Sequence, residues 1–307
     1  MSGEPVLIGV DWGLSQIRAY RIGGQGQVLE SRSSDRGLSS VRNGDFDAVL
    51  RSVLSGWRDV GPDGPPILLC GMIGSRQGWK EAPYAPCPLR LEAVRQCIVV
   101  VESALGDVRI VGGARTKDKR GHDDIMRGEE TQMFGLPEFG GPRIAIAPGT
   151  HSKWVRLEGS AIVDFRTYMT GEVFALLKKH STLGWMIPQS GDEIFDDAAF
   201  EAGVRDAEAA GDMLHGLFNA RTSAIFHPER ASSISSYLSG LLIGYEISGA
   251  RALAEKDPIV LVGTSRLARL YRSALSVLGM RNAELADADA VTAMGLWRVW
   301  KAQGDST

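Results

Sequence analysis

The sequence contains few cysteines and no long apolar run. Three cysteines occur in 307 residues, Cys70, Cys87 and Cys97, and their spacings match no zinc-binding pattern. An odd number of cysteines, in a chain that starts without a basic and apolar export segment, predicts reduced thiols in the cytoplasm. No apolar stretch reaches the length needed to cross a membrane. We therefore expect a cytoplasmic protein without a membrane partner.

The sequence also lacks a strong excess of charge of one sign. Its 34 lysines and arginines nearly balance 37 aspartates and glutamates, giving a net charge of −3. Without a global basic field we expect no nucleic-acid partner, and any anionic ligand must be bound by a local site. The 44% of hydrophobic residues is typical of a globular protein, and 307 residues are enough for two domains.

Apolar periodicity predicts a similar order of elements in the two halves of the chain. The predicted strands cover 6–11, 17–22, 27–33, 67–71, 108–111, 143–147, 161–165 and 258–263. The predicted helices cover 45–57, 124–136, 170–180, 232–254 and 287–301. This repetition predicts a duplicated α/β protein. We place the domain boundary in the loop PEFGGP: the first domain covers 1–138 with the C-terminal helix 287–307, and the second covers 139–286.

Two loops at corresponding places in the two halves could hold phosphate groups. In DWGLSQIR, residues 11–18, Asp11 can bind a hydrated magnesium ion, Gly13 lets backbone N–H groups approach phosphate oxygens, and Ser15 adds a hydroxyl donor. In APGTHSKW, residues 147–154, small and hydroxyl residues precede a lysine. Each loop alone is also compatible with an ordinary hairpin, but the pair is what a phosphate clamp between two lobes requires.

A third loop, VLVGTS at 260–265, runs from a strand into a helix whose N-terminus favours anions. The same residues would also form an ordinary helix start with a threonine or serine cap.

These loops, in this order, resemble those of the sugar-kinase branch of the actin-like ATPases. DWGLSQIR looks like the first phosphate motif, APGTHSKW like the second, and VLVGTSRLARLYRSAL like the adenosine motif. More closely, the sequence resembles the 2-dehydro-3-deoxygalactonokinase family. The strings that carry this resemblance are GMIGSRQGW (71–79), YAPCP (84–88), MRGEETQMFG (126–135), PGTHSKW (148–154) and FRTYMTGEVFALL (165–177).

The resemblance implies a two-lobed, actin-like (duplicated ribonuclease H-like) sugar kinase fold with a central cleft. It places the first phosphate loop and the sugar-acid site in the first domain, and the second phosphate loop and the adenosine site in the second. It also implies ATP-dependent phosphorylation of 2-dehydro-3-deoxy-D-galactonate to its 6-phosphate, with Mg²⁺, in galactonate catabolism. The expected partners are then ATP and a small sugar acid, and a homodimer is a further possibility. Two alternatives stay open: a related kinase that acts on another hexose or sugar acid, and a non-catalytic actin-like ATP-binding protein.

Under this resemblance Asp11 would hold the metal ion, and Lys153 would neutralise charge on the transferred group. Glu130 aligns with the catalytic carboxylate of kinases resembling hexokinase and is the predicted base, while Glu129 replaces an asparagine. Asp123 and Asp124 are alternatives, and acids are also common at helix N-termini for electrostatic reasons. The residues expected to contact ATP are Gly13, Ser15, Arg18, Gly149, Thr150, His151, Gly263 and Thr264.

The substrate carries a carboxylate, so a cation should meet it. Arg76 is the predicted partner, with Ser75, Trp79 and Glu129 as further substrate contacts. Lys80, Lys117 and Arg166 are alternatives, although most such cations are simply solvated.

Overall fold

A computed structural model of the chain describes residues 4–138, 140–187, 195–254, 257–263, 266–280 and 283–304. The strands are β1 Leu7–Trp12, β2 Ile17–Ile22, β3 Val28–Ser34, β4 Ile67–Gly71, β5 Tyr84–Pro86, β6 Val99–Val101, β7 Val108–Ile110, β8 Gly113–Lys117, β9 Asp123–Met126, β10 Pro142–Ala147, β11 Ser152–Glu158, β12 Ala161–Tyr168, β13 Ile259–Val262 and β14 Glu284–Ala286. The helices are α1 Phe46–Leu54, α2 Leu91–Val94, α3 Glu129–Gly135, α4 Thr170–His180, α5 Asp197–Ala210, α6 Met213–Phe226, α7 Ile234–Ala250, α8 Arg266–Val277 and α9 Ala288–Gly304.

The two larger sheets share one strand plan. The first has the order β3-β2-β1-β4-β7-β6, in which β1 pairs antiparallel with β2 and parallel with β4. The second has the order β12-β11-β10-β13-β14, in which β10 is parallel to β13. A small third sheet has the order β5-β8-β9. The duplicated α/β plan predicted from the sequence is therefore present.

The centre of the first sheet is buried because its strands are apolar on both faces. Every residue of β4 is buried, and β1 exposes only part of Asp11. Helix α1 covers this sheet with Leu50 and Leu54, and it begins where the side chain of Asp45 accepts a hydrogen bond from the Ala48 N–H at 3.1 Å. The polar end of β1 is thus held on a rigid core.

The chain divides into two compact units. The first contains residues 1–142, 155–165 and 286–307, and the second contains 143–154 and 166–285. Helix α9 therefore belongs to the first unit. In the described part of the chain, no helix has the length and apolar character needed to cross a membrane.

Helices α3 and α9 pack with their backbones in close contact. A Cβ atom on Gly135 would stand 1.7 Å from the Val291 carbonyl oxygen, and one on Gly295 would stand 1.9 Å from the Thr131 carbonyl oxygen. Arg298 of α9 donates hydrogen bonds to the carbonyls of Phe134 and Leu136 at the end of α3. These contacts fix α3 against α9.

The predicted helix at 124–136 is wrong in its first half. Residues Asp123–Met126 form strand β9, which pairs antiparallel with β8. Gly128 then adopts φ +107°, a conformation that favours glycine, and α3 begins only at Glu129. Asp124 is therefore a strand residue. The other predicted helices and strands are found with ends that differ by up to four residues.

Candidate active site

Acidic residues from three elements of the first unit lie together at the end of β1. Asp11 is opposite Arg18 in the β1–β2 pairing, and Arg18 lies 3.8 Å from the Asp289 carboxylate of α9. Burial raises the pKa of Asp11 to about 6; Arg18 opposes this shift, and the charges of Glu129 and Asp289 add to it. The cluster therefore has a surplus of negative charge that a cation would relieve.

Two glycines bring backbone close to this cluster. Gly71, at the end of β4, has φ +90°, and a Cβ atom there would stand 3.1 Å from Asp11 Oδ1. A Cβ atom on Gly128 would stand 3.1 Å from the Gly71 Cα. The turn before α3 thus packs directly on the end of β4, which carries Glu129 to the side of Asp11.

The two glutamates at the start of α3 have different surroundings. Glu130 is 1% exposed, and its carboxyl group accepts hydrogen bonds from the Gly128 N–H at 2.7 Å and the Thr131 hydroxyl at 2.9 Å. Burial, assisted by the charge of Glu129, raises the pKa of Glu130 to about 7. Glu129 is half-buried, and its Oε2 accepts a hydrogen bond from the Arg127 N–H at 3.1 Å. Glu129 is thus the more accessible of the two.

The backbone of the first phosphate loop is fixed by hydrogen bonds within the loop and with residues 38–39. The N–H of Gly13 donates to the Gln16 carbonyl at 2.9 Å, and the Gly13 carbonyl accepts from the Leu38 N–H at 2.9 Å. The Ser39 hydroxyl and N–H both donate to the Leu14 carbonyl. Ser15 is exposed at the tip, so its hydroxyl can reach a ligand.

The predicted substrate residues after β4 are not brought together. The side chain of Arg76 is 84% exposed and pairs with Glu81 at 3.1 Å, as a solvated surface cation does. Trp79 stacks on Phe46 with ring centroids 6.2 Å apart and packs against the first core. Ser75 is different, because it is 7% exposed.

In the second unit, the second phosphate loop is bound to the start of α4. A Cβ atom on Gly171 would stand 2.4 Å from the Gly149 carbonyl oxygen, and the Glu172 N–H donates to the Thr150 carbonyl at 3.0 Å. His151 Nε2 lies 2.5 Å from Glu172 Oε2. These contacts hold the backbone of residues 149–151 on the helix N-terminus.

Lys153 does not project from this loop as an exposed cation. The residue is 4% exposed, and its Nζ donates a hydrogen bond to the His151 carbonyl at 2.9 Å. This contact favours a role in supporting the loop from within.

A cavity of about 300 Å³ opens beside the second phosphate loop. Its walls are mostly apolar, with Phe174 from α4, Ile243 from α7 and Leu270 from α8. Arg266 also lines it and stacks on the ring of Phe195 at 4.4 Å. An apolar cavity next to a glycine-containing loop suits a flat heterocycle with attached phosphates.

A buried carboxylate forms hydrogen bonds with residues that line this cavity and with a residue at the end of the second phosphate loop. Glu246 of α7 accepts hydrogen bonds from Trp154 Nε1 at 2.8 Å, from the Tyr271 hydroxyl at 2.6 Å and from the Thr170 hydroxyl. Tyr271 in turn lies 2.8 Å from the Ser152 hydroxyl. Burial raises the pKa of Glu246, and the donors oppose that shift.

Gly263, from the third predicted loop, follows β13 with φ +146°. A Cβ atom there would stand 3.4 Å from the Ala268 Cβ, so Gly263 lies close to α8. Thr264 lies outside the described residues.

Sequence reasoning missed three charged residues of these sites: Asp289, Glu246 and Arg127. Asp289 is 278 positions after Asp11 and looks like an ordinary acid in the first turn of a helix. Glu246 lies on a helix that is otherwise mostly apolar, and a charged residue within such a helix is the one available signal.

The strand order repeated in the two larger sheets gives the chain the α/β fold of the actin-like ATPases and sugar kinases, which confirms the predicted fold class. The fold is shared with the activator of 2-hydroxyisocaproyl-CoA dehydratase from Clostridium difficile, solved with bound ADPNP. That similarity has a TM-score of 0.53 at 11% identity, over 97% of this chain and 96% of that one.

The family model described as 2-keto-3-deoxy-galactonokinase matches residues 11–299, and the chain belongs to this family. A protein of Rhizobium meliloti (strain 1021) described as a 2-dehydro-3-deoxygalactonokinase is 38% identical over 94% of each chain. The 2-dehydro-3-deoxygalactonokinase of Escherichia coli (strain K12) is 34% identical over 89% of this chain and 90% of its own. A crystal structure assigned to the same activity, from Sinorhizobium meliloti, has a TM-score of 0.86 at 36% identity, over 97% of this chain and 99% of that one. The family resemblance read from the sequence is thereby confirmed.

Proposed function

We propose that this protein transfers the γ-phosphoryl group of ATP to the 6-hydroxyl of 2-dehydro-3-deoxy-D-galactonate in galactonate catabolism. The observation that carries the proposal is the carboxylate pair of Asp11 and Glu129 at the end of β1, in a chain of the 2-keto-3-deoxy-galactonokinase family. Phosphoryl transfer needs positioning, charge neutralisation and a group that orients the attacking hydroxyl, and this cluster can supply them.

Glu129 is our candidate for the base, in place of the predicted Glu130. Its carboxylate is half-buried beside Asp11, whereas both oxygens of Glu130 are occupied inside the protein. In the reaction the O6–H proton passes to Glu129, the bond from O6 to the γ-phosphorus forms, and the bond from that phosphorus to the bridging oxygen of ADP breaks. Glu130 would act as a positioning residue, because it binds the Gly128 turn that precedes Glu129.

The nucleotide is assigned to the second unit. The apolar cavity between α4, α7 and α8 would hold the adenine ring, and the 149–151 backbone would meet the phosphates. On the first unit, the phosphate contacts predicted at Gly13, Ser15 and Arg18 stay a prediction.

The acidic cluster also fits Mg²⁺. In the described residues no group of three histidine, cysteine or acidic side chains is arranged as a closed metal site. Magnesium commonly binds through one or two carboxylates, with water and substrate phosphates completing its shell. Asp11 would hold the ion, which would neutralise phosphate charge.

The test is an assay of ADP release with purified protein, ATP and magnesium. We expect turnover with 2-dehydro-3-deoxy-D-galactonate and a product phosphorylated on O6, established by NMR. Neutral hexoses and N-acetylhexosamines serve as comparison substrates. Faster turnover with a neutral hexose would favour the related-kinase alternative, and no sugar-dependent turnover would favour a non-catalytic ATP-binding protein.

A further inference from the structure

Arg127 is a buried cation without an anionic partner. It is 9% exposed and lies at the end of β9, one residue before the Gly128 turn. Its Nη2 donates to the Ala82 carbonyl at 2.8 Å, its Nε donates to the Tyr84 hydroxyl at 3.3 Å, and its guanidinium carbon lies 4.1 Å from the centre of the Tyr84 ring. Within the described residues, no carboxylate forms an ion pair with it. A buried charge in this condition is costly unless an anion compensates it.

Two buried polar atoms, one on a side chain that reaches Gly74 and one on the residue that follows Gly74, have no hydrogen-bond partner among the described residues. They are Nη1 of Arg127 and the hydroxyl oxygen of Ser75. Arg127 Nη1 lies close to Gly74, since a Cβ atom on Gly74 would stand 2.8 Å from it. Ser75 is the next residue in the chain. Buried polar groups are nearly always hydrogen-bonded in native proteins, so these two exceptions near Gly74 indicate a place for a polar ligand.

We propose that Arg127 and Ser75 bind the carboxylate of the sugar acid and make the enzyme select acids over neutral sugars. A carboxylate accepts hydrogen bonds only, and a guanidinium N–H with a hydroxyl offers the donors and the positive charge it requires. This inference rests on the proposed function, since it assigns the acid end of that substrate.

The position of Arg127 places this subsite beside Glu129, the candidate base. Its backbone N–H donates to Glu129 Oε2, so the same residue orders the candidate base and offers its side chain to the acid. Gly74 and Ser75 follow Gly71, whose backbone lies against Asp11. One substrate can therefore have its carboxylate at Arg127 and its hydroxyl at Glu129.

Arg76, the cation predicted from the sequence, is the matched control. It lies next to Ser75 in the same segment, but its side chain is 84% exposed and already paired with Glu81. Removing it should leave the acid site intact, whereas removing Arg127 should not.

The experiment compares Arg127→Met, Arg127→Lys, Ser75→Ala and Arg76→Ala with the wild type. The substrates are the sugar acid and its primary amide, which keeps the chain but lacks the negative charge. For Arg127→Met we expect the ratio of kcat/KM for acid over amide to fall at least about tenfold, the loss expected for one charged hydrogen-bond partner. Arg127→Lys should recover part of the ratio because it keeps the charge, and Ser75→Ala should lower the ratio less.

The KM for ATP should stay within about twofold of wild type in every variant, since the nucleotide is assigned elsewhere. A merely structural role of Arg127 would instead lower activity toward acid and amide alike, and that result would overturn the inference. An unchanged acid-to-amide ratio in Arg127→Lys and Ser75→Ala, or a collapsed ratio in Arg76→Ala, would also overturn it.

Isothermal titration with the sugar acid in the absence of ATP separates this inference from the proposed function. Binding that is weakened at least about tenfold in Arg127→Met supports the subsite even if no phosphate is transferred, and only the kinase proposal would then fail. The wild type and folded Arg127 variants could instead bind the sugar acid equally strongly and turn it over normally. That result would support the kinase proposal and overturn the carboxylate subsite.

Discussion

Glu129 and Glu130 are neighbours in the sequence, but the start of α3 turns their carboxyl groups into different surroundings. Glu130 accepts hydrogen bonds inside the protein, and Glu129 remains partly accessible beside Asp11. Alignment of four residues with a family string could find this acidic pair, but it could not decide between its members. That choice depends on the Gly128 turn, which periodicity does not reveal.

The first prediction separates the two roles. Glu129→Gln keeps the size and hydrogen bonds of the side chain but removes the proton acceptor, so kcat should fall by about 10²–10⁴ with little change in KM. Asp124→Asn, on β9, is the control and should keep near-normal turnover. Steady-state kinetics at saturating ATP checks this, and a normal kcat for Glu129→Gln in a folded protein would exclude Glu129 as the base.

The second prediction concerns the pH dependence of stability. The pKa of Glu130 is raised from the ordinary 4.5 to about 7, so the folded state binds the proton more tightly than the unfolded state. The contribution to the free energy of unfolding is therefore highest below pH 4.5 and falls as pH rises to about 7, by about 3 kcal/mol in total. Glu130→Gln should flatten this dependence in urea unfolding between pH 5 and pH 7.5. If the free energy of unfolding of Glu130→Gln keeps the pH dependence of the wild type, the raised pKa of Glu130 is contradicted.

Among the elements, the strands and helices with a clear apolar period were predictable from the sequence. Helix α4 was predicted with its observed bounds, and β2 and β4 likewise. Strand β9 was not, because DDIM has no alternation and its pairing with β8 is a tertiary contact. The contact of α3 with α9 was also invisible, since Gly135 and Gly295 are 160 residues apart.

The third prediction tests that helix contact. Gly295→Ala would place a methyl group 1.9 Å from the Thr131 carbonyl oxygen, so α9 must shift away from α3. We expect a loss of about 1–3 kcal/mol in the free energy of unfolding. Activity should also fall, because α3 carries Glu129 and α9 carries Asp289. Gly304→Ala, on the same helix and with nothing within 4 Å of the added atom, is the matched control. Equal stability of the two variants would show that the contact is not tight.

At the scale of the whole molecule, the repeated strand plan was predictable because each half carries its own hydrophobic pattern. The sequence resemblance also predicted the sugar-acid site in the first domain and the adenosine site in the second, and this assignment stays a prediction. The buried residues that we propose for these sites, such as Arg127 and Glu246, were not predictable. In the sequence, Arg127 looks like an ordinary surface charge, and Glu246 is marked only by its place within a mostly apolar helix.

The fourth prediction follows from that assignment and uses hydrogen exchange measured by mass spectrometry. The sugar acid alone should slow exchange in first-unit peptides that cover 71–84 and 126–131. ADP alone should slow exchange in second-unit peptides that cover 149–154, 170–178 and 235–243. Protection of the second-unit peptides by the acid alone would contradict the assignment of the substrates.

Helix α9 has a consequence for how the protein is made. The first unit contains residues 1–142, yet it also includes residues 286–307, which the ribosome adds only after the second unit. Domains generally fold as units during synthesis, N-terminal first. Here all residues of the second unit are synthesised before the first unit is complete. Gly135 of α3 cannot pack against α9 until α9 has been synthesised. A nascent chain that stops before residue 288 would lack Asp289, so the acidic cluster is complete only in chains that have been translated through α9.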